Sequence, residues 1–213
     1  GAVLLALASC VREIPVDDTV TDVPESRTVI IEAGFEDEPA TKSSVSDGKV
    51  YWSAGDQIKV FAGSSTGDLF TSTNAEPQVQ ASFKGTITTI EGGTEDGSVS
   101  DSWNMRALYP YSEGSTCVGG VYYTSLASLQ KGVAGTFGNN LFVSIARSQY
   151  FGFTFYNVCS GLCFKLGEDI SGTVTSVTLK TNGGEPLAGE FSAVFDDDTN
   201  LPKVNEVSEG VSS

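Results

Sequence analysis

The chain has 213 residues, the size of one large domain, with 12 basic against 27 acidic side chains and a formal charge of −15. That balance argues against a nucleic-acid partner, because there is no Lys/Arg excess to displace counterions from a phosphate backbone. Histidine is absent, which removes Ser-His-Asp triads, Cys-His pairs, zinc-peptidase helices and most zinc or non-haem iron sites, so no cofactor is expected and catalysis is the weaker reading. An apolar content of 39% suffices for a core, and 24 glycines beside a single methionine favour strands and turns.

Residues 1–9, GAVLLALAS, form an uncharged apolar run too short to span a bilayer as a helix. The step Leu7-Ala8-Ser9-Cys10 matches the pattern at which bacterial lipoprotein precursors are cut, leaving Cys10 as a lipidated N-terminus. Acyl chains on Cys10, at about 0.8 kcal/mol per buried methylene, would hold the protein at a membrane. Residues 10–27 then read as anchor and tether, with two prolines, several acids and no sustained period. Residues 28–213 form the folded body.

Within that body, period-two alternation recurs and helical periodicity is nearly absent, so the expected class is all-β. Thr28–Ala33 reads as a short strand containing Val29, Ile30 and Ile31. Further strands are expected around Ile58–Phe61, Phe83–Thr89, Leu141–Ala146, Phe151–Tyr156 and Leu162–Leu166. A hairpin follows: a strand ending at Leu179, the turn Asn182-Gly183-Gly184, and a return strand in which Leu187, Phe191, Ala193 and Phe195 share a face. A last Val-rich strand begins at Lys203. Strands with one apolar face each are most economically buried as a β-sandwich.

Candidate chemistry is sparse. With Cys10 assigned to lipid, Cys117, Cys159 and Cys163 remain. Cys159 and Cys163 would lie about 13 Å apart on one strand at ~3.3 Å per residue, too far for a disulfide, so buried thiols are expected. The run Asp196-Asp197-Asp198-Thr199-Asn200 offers oxygen ligands to calcium but lacks the glycine and terminal glutamate of an EF-hand loop, and reads as a solvated turn, as does Glu36-Asp37-Glu38. No spacing selects a carboxylate pair for glycoside hydrolysis. Tyr51, Trp52, Trp103, Tyr109, Tyr111, Tyr122 and Tyr123 could stack on a sugar or pack a core.

The block from Thr41-Lys42-Ser43 through Tyr51-Trp52-Ser53-Ala54-Gly55-Asp56-Gln57-Ile58-Lys59-Val60-Phe61 resembles the fimbrillin-like lipoproteins of Bacteroides-type bacteria, with their T-[KR]-[ST] step and W-x-x-G-D-x-I-x-V-F motif. Ala107-Leu108-Tyr109-Pro110-Tyr111 is similar to a second block of that family. Phe155 to Phe164, running into Val177-Thr178-Leu179 and Leu187-Ala188-Gly189, is similar to others. The resemblance implies a pilin or adhesin subunit of transthyretin-like, Greek-key-like β-sandwich domains, lipid-anchored in the outer membrane, here with the first domain truncated at its C-terminal side. It also implies cleavage at a basic residue near Lys42, in a step where the best-understood pilins carry arginine, followed by exchange of the first strand (Val29, Ile30, Ile31) for one from another subunit. Exchange of this kind is expected of an edge strand; residues 28–33 threaded through the middle of a sheet and bonded on both sides would defeat it. A surface glycan-binding lipoprotein is the alternative, and buried tryptophans would count against that.

Overall fold

A computed structural model describes residues 26–36, 45–46, 49–63, 66–87, 105–133, 138, 141–162, 164–165, 167 and 171–211. Every regular element among them is a strand. In chain order these are β1 (Arg27–Phe35), β2 (Val45–Ser46), β3 (Lys49–Val50), β4 (Gln57–Phe61), β5 (Asp68–Ser72), β6 (Gln80–Ile87) and β7 (Met105–Tyr109). Then follow β8 (Thr116–Val118), β9 (Val121–Leu126), β10 (Ser144–Ser148), β11 (Gly152–Asn157), β12 (Ala188–Phe195) and β13 (Pro202–Val211). The expected all-β class holds.

Seven strands close into a barrel in the order β1-β11-β10-β7-β4-β5-β6, and β13-β12-β9-β8 form a separate four-stranded sheet. Barrel closure depends on β1. Its residues Arg27 to Gly34 run antiparallel to β6, and Glu32 to Phe35 run parallel to β11. The expectation of an edge strand at Thr28–Ala33 is therefore corrected. Glu32, Ala33 and Gly34 are paired on both sides, while Arg27 to Ile31 are paired only with β6. The strand also extends past Ala33 to Phe35, and that extension reaches β11.

Alternation along β1 sends Val29, Ile31 and Ala33 into the barrel and leaves Ile30 60% exposed. Inside the barrel they meet Trp52, Ile58, Val60, Phe70, Phe83, Met105, Tyr109 and Phe155. A second core forms outside the barrel wall. There Phe61, Leu108, Val143 and Ile145 pack against Cys117, Tyr122, Phe191, Ala193 and Phe195 of the four-stranded sheet. Strands β4 and β7 thus carry apolar residues on both faces, since one lines the barrel and the other meets the second sheet. The expected pair of stacked open sheets takes the form of a closed barrel with a sheet packed on its side.

Two expected strands do not appear among the described residues, which leave out Cys163 and Leu166. Leu162 and Phe164 are exposed and lie in no strand, and Val177 and Leu179 lie in a stretch without regular structure, outside any ladder among the described residues. The expected hairpin across Asn182-Gly183-Gly184 does not form. Gly184 does adopt a positive φ of 82°, yet β12 pairs with β9 and β13 instead of the segment before the turn. Strand existence at Ile58–Phe61, Phe83–Ile87 and Gly152–Tyr156 agrees with the alternation, whereas Leu141 to Val143 precede their strand, which begins at Ser144.

Candidate functional site: the barrel slot filled by the first strand

The slot between β6 and β11 is built around aromatic packing. The Phe35 ring stacks on Trp52 at 4.3 Å with planes 26° apart, and Phe83, Tyr109 and Phe155 surround the indole edge-on. Such offset and edge contacts suit the quadrupoles of aromatic rings. Trp52 is fully buried.

The segment after Trp52 holds it in place. Gly55 takes φ 80°, which costs a residue with a Cβ far more than glycine, and the Asp56 carboxylate accepts the Ser53 N–H at 2.7 Å. Burial pushes the Asp56 carboxyl above its usual range, opposed by that Ser53 bond. The Ser72 hydroxyl donates to the Ser53 carbonyl at 2.9 Å, and the Ser72 N–H to the Asp56 carbonyl at 2.8 Å. The W-x-x-G-D block is accordingly a hydrogen-bonded turn that starts β4 and sets the indole under β1.

Lys59 was not singled out by sequence reasoning, yet it organises the opposite wall. It points out of the barrel from β4 and is almost completely buried. Its ammonium donates to the carbonyls of Ser112 (3.1 Å), Glu113 (2.7 Å) and Ser115 (2.8 Å), with the Tyr111 ring 5.5 Å away. Desolvation lowers its pKa, against the opposing pull of the Glu113 carboxylate. A lysine between Ile58 and Val60 carries no sequence mark of this role, because the three acceptors are backbone atoms more than fifty residues away.

The remaining candidates separate. Cys10, Lys42 and Trp103 lie outside the described residues, as do Asp37, Glu38 and Cys163. Val29 and Ile31 face the core and Ile30 faces solvent. Cys117 is buried and Cys159 half-buried, both as free thiols; burial pushes Cys117 up to about 11 and raises Cys159 as well. Trp52, Tyr109 and Tyr122 are core residues, Tyr123 is exposed, and these four assemble no shared sugar-stacking face.

Asp196 caps its own turn. One carboxylate oxygen accepts from the N–H groups of Asp198 (3.1 Å) and Thr199 (3.0 Å) and from the Thr199 hydroxyl (3.2 Å), and the other accepts from Lys203. These bonds, the Lys203 one foremost, lower the Asp196 carboxyl to about 2. Among the described residues no cluster of three or more Cys, Asp or Glu side chains is placed to hold a metal ion. No helix among them is long and apolar enough to cross a membrane.

No family model, curated protein or solved structure matches the chain.

Proposed function

We propose that the chain is a surface lipoprotein, anchored in the outer membrane through Cys10, that serves as a fimbrial structural subunit or fimbria-associated adhesin without catalysis. The observation that carries this reading is the position of β1. β1 completes the barrel between β6 and β11; in this reading residues 10–27 before it are the membrane tether and the segment around Lys42 after it is the one cleaved. Cleavage at Lys42 would leave the strand on the anchor side and the rest of the barrel free to part from it.

Because β1 is not an edge strand, removal by simple peeling is withdrawn. The version retained is concerted replacement, beginning at Arg27 to Ile31, where only the β6 ladder must break. The incoming strand has to run antiparallel to β6 and parallel to β11 and to present small or branched apolar groups at the sites of Val29, Ile31 and Ala33. The transthyretin-like, Greek-key-like arrangement belongs to the same proposal; the second sheet packed on β4, β7 and β10 supplies the two-layer core that such a domain needs.

Incubation of the full-length protein with a trypsin-like protease tests it. Nicking at Lys42 followed by SDS-resistant ladders is expected, and clean cleavage with an unchanged size distribution overturns the polymerising form. The glycan-binding alternative loses support from the complete burial of Trp52.

A further inference from the structure

The chain has four arginines, and two of them, Arg106 and Arg147, are direct cross-strand partners in β7 and β10. Both continue the outward alternation of Leu108 and Ile145, so they stand on the barrel face that meets the second sheet, one step beyond its buried core. Side chains so paired start about 4.5–5.5 Å apart, and like charges in that position repel. Neither guanidinium has an ion-pair partner among the described residues. With 27 acidic side chains in the chain, a repulsive pair left uncompensated points to an anion from outside.

The second sheet holds each guanidinium in place. Arg106 lies 6.0 Å from the centre of the Tyr122 ring and Arg147 4.7 Å from that of Phe195, and those two rings are 6.5 Å apart. Such cation–π contacts offset part of the repulsion without neutralising either charge. Gly120, at φ 86°, closes the turn between β8 and β9 onto Arg106; a Cβ there would sit 2.9 Å from its Nη2. Arg147 donates from Nη2 to the side-chain oxygen of Asn200, in the turn between β12 and β13. Burial raises the pKa of the Tyr122 hydroxyl and both arginines oppose the rise, so the two cations lie near the same group. The acids of the neighbouring turn leave them unpaired: Asp196 is engaged by Lys203, while Asp197 and Asp198 are exposed.

We propose that Arg106 and Arg147 form a clamp for a single oxyanion, a carboxylate or sulfate group on a small ligand, at the rim of the seam between barrel and second sheet. Each guanidinium presents a planar fork of N–H donors that matches two oxygens, and here both forks are positioned before any ligand arrives. One negative charge between them removes the repulsion of the bare pair. The net charge of −15 selects a singly charged ligand over a polyanion, which the rest of the surface would repel. The clamp uses neither Lys42 nor β1, and so stands or falls independently of strand exchange.

Nuclear magnetic resonance of the arginine Nε–H groups in the full-length chain, at fixed ionic strength, tests this with sodium acetate and sodium methyl sulfate as probes. Arg106 and Arg147 should shift together and saturate with at least one probe, while Arg12 and Arg27 do not move. Arg106→Gln and Arg147→Gln should each weaken binding about tenfold, the loss of one charge-assisted fork. Lys84→Gln removes the same charge from an exposed position on β6 and should change the affinity by less than about twofold. Wild-type shifts that never saturate with either probe, or that sodium chloride reproduces, overturn the clamp whether or not the variants fold. Equal losses from Lys84→Gln and the arginine variants overturn it as well, because they would reduce binding to the general field of the chain.

Discussion

Phe35 and Trp52 stack face to face at 4.3 Å, joining the last residue of the barrel-closing strand to the turn that launches β4. The contact explains why β1 runs on past Ala33, since stopping there would leave the indole face without its lid. Trp52→Ala should destabilise the fold by about 3–5 kcal/mol through cavity formation. Phe35, only partly buried, should cost less on truncation. A double-mutant cycle in urea should return a coupling of about 0.5–1.5 kcal/mol between the two rings. A coupling near zero would mean that the stack adds nothing beyond separate burial.

Gly85 sits where β6 passes the Phe70 ring. A Cβ built there would lie 2.5 Å from that ring and 2.6 Å from the Leu69 carbonyl oxygen. The carbonyl is backbone and cannot swing aside, so Gly85→Ala should cost about 1–3 kcal/mol in chemical denaturation. Gly114, with nothing within 4 Å of its position, is the control. Gly114→Ala should stay within about 0.5 kcal/mol of the wild type.

How far the fold was legible follows from which residues carry contrast between faces. β6 and β11 have one strongly apolar face, so Phe83, Phe153 and Phe155 announce them in sequence. β7 is buried on both faces, with Met105, Ala107 and Tyr109 inside the barrel and Leu108 against the second sheet, and its alternation is erased. The hairpin at Asn182-Gly183-Gly184 failed for a different reason. Turn chemistry fixes local φ, and Gly184 obeys it, but the partner of β12 is chosen by long-range packing of Phe191 and Phe195 against Tyr122 and Tyr156. At the candidate slot, the inward-facing Val29 and Ile31 could be read from alternation. The parallel pairing with β11 could not, because it depends on a segment more than a hundred residues downstream.

The Lys59 ammonium binds three loop carbonyls at once, and Lys59→Met keeps most of the side-chain volume while deleting every donor. The change should destabilise by about 1–3 kcal/mol, the cost of leaving the buried Ser115 carbonyl without its donor, because the Ser112 and Glu113 carbonyls are only partly buried and can turn to water. Hydrogen exchange should rise locally across residues 111–115 before it rises in the barrel. Uniform loss of protection throughout would show that the lysine supports the whole fold equally.

Thiol labelling reads the second core directly. Cys117 is buried between the barrel wall and the sheet, and its pKa of about 11 leaves almost no thiolate at pH 8. Native protein should therefore leave Cys117 unmodified by iodoacetamide, with labelling by mass spectrometry tracking unfolding across a urea series. Labelling at the native plateau would mean that the sheet separates from the barrel without global unfolding.

Acid titration distinguishes two carboxylates whose shifts have opposite signs. Asp196 is depressed to about 2 by its bonds to Lys203 and the turn N–H groups, so its contribution to stability is present above the ordinary value of 3.8 and is lost as pH falls through about 2. Asp56 is raised by burial, so its ionised form opposes folding, and protonation relieves that penalty as pH drops through its folded pKa towards 3.8. The stability difference between wild type and Asp196→Asn should hold steady near neutrality and shrink on acidification. The difference for Asp56→Asn should move the other way and begin at higher pH, and Lys203→Ala should bring the Asp196 titration, followed by NMR, back towards 3.8. Two curves with the same slope would mean that one of these carboxylates does not have the surroundings described.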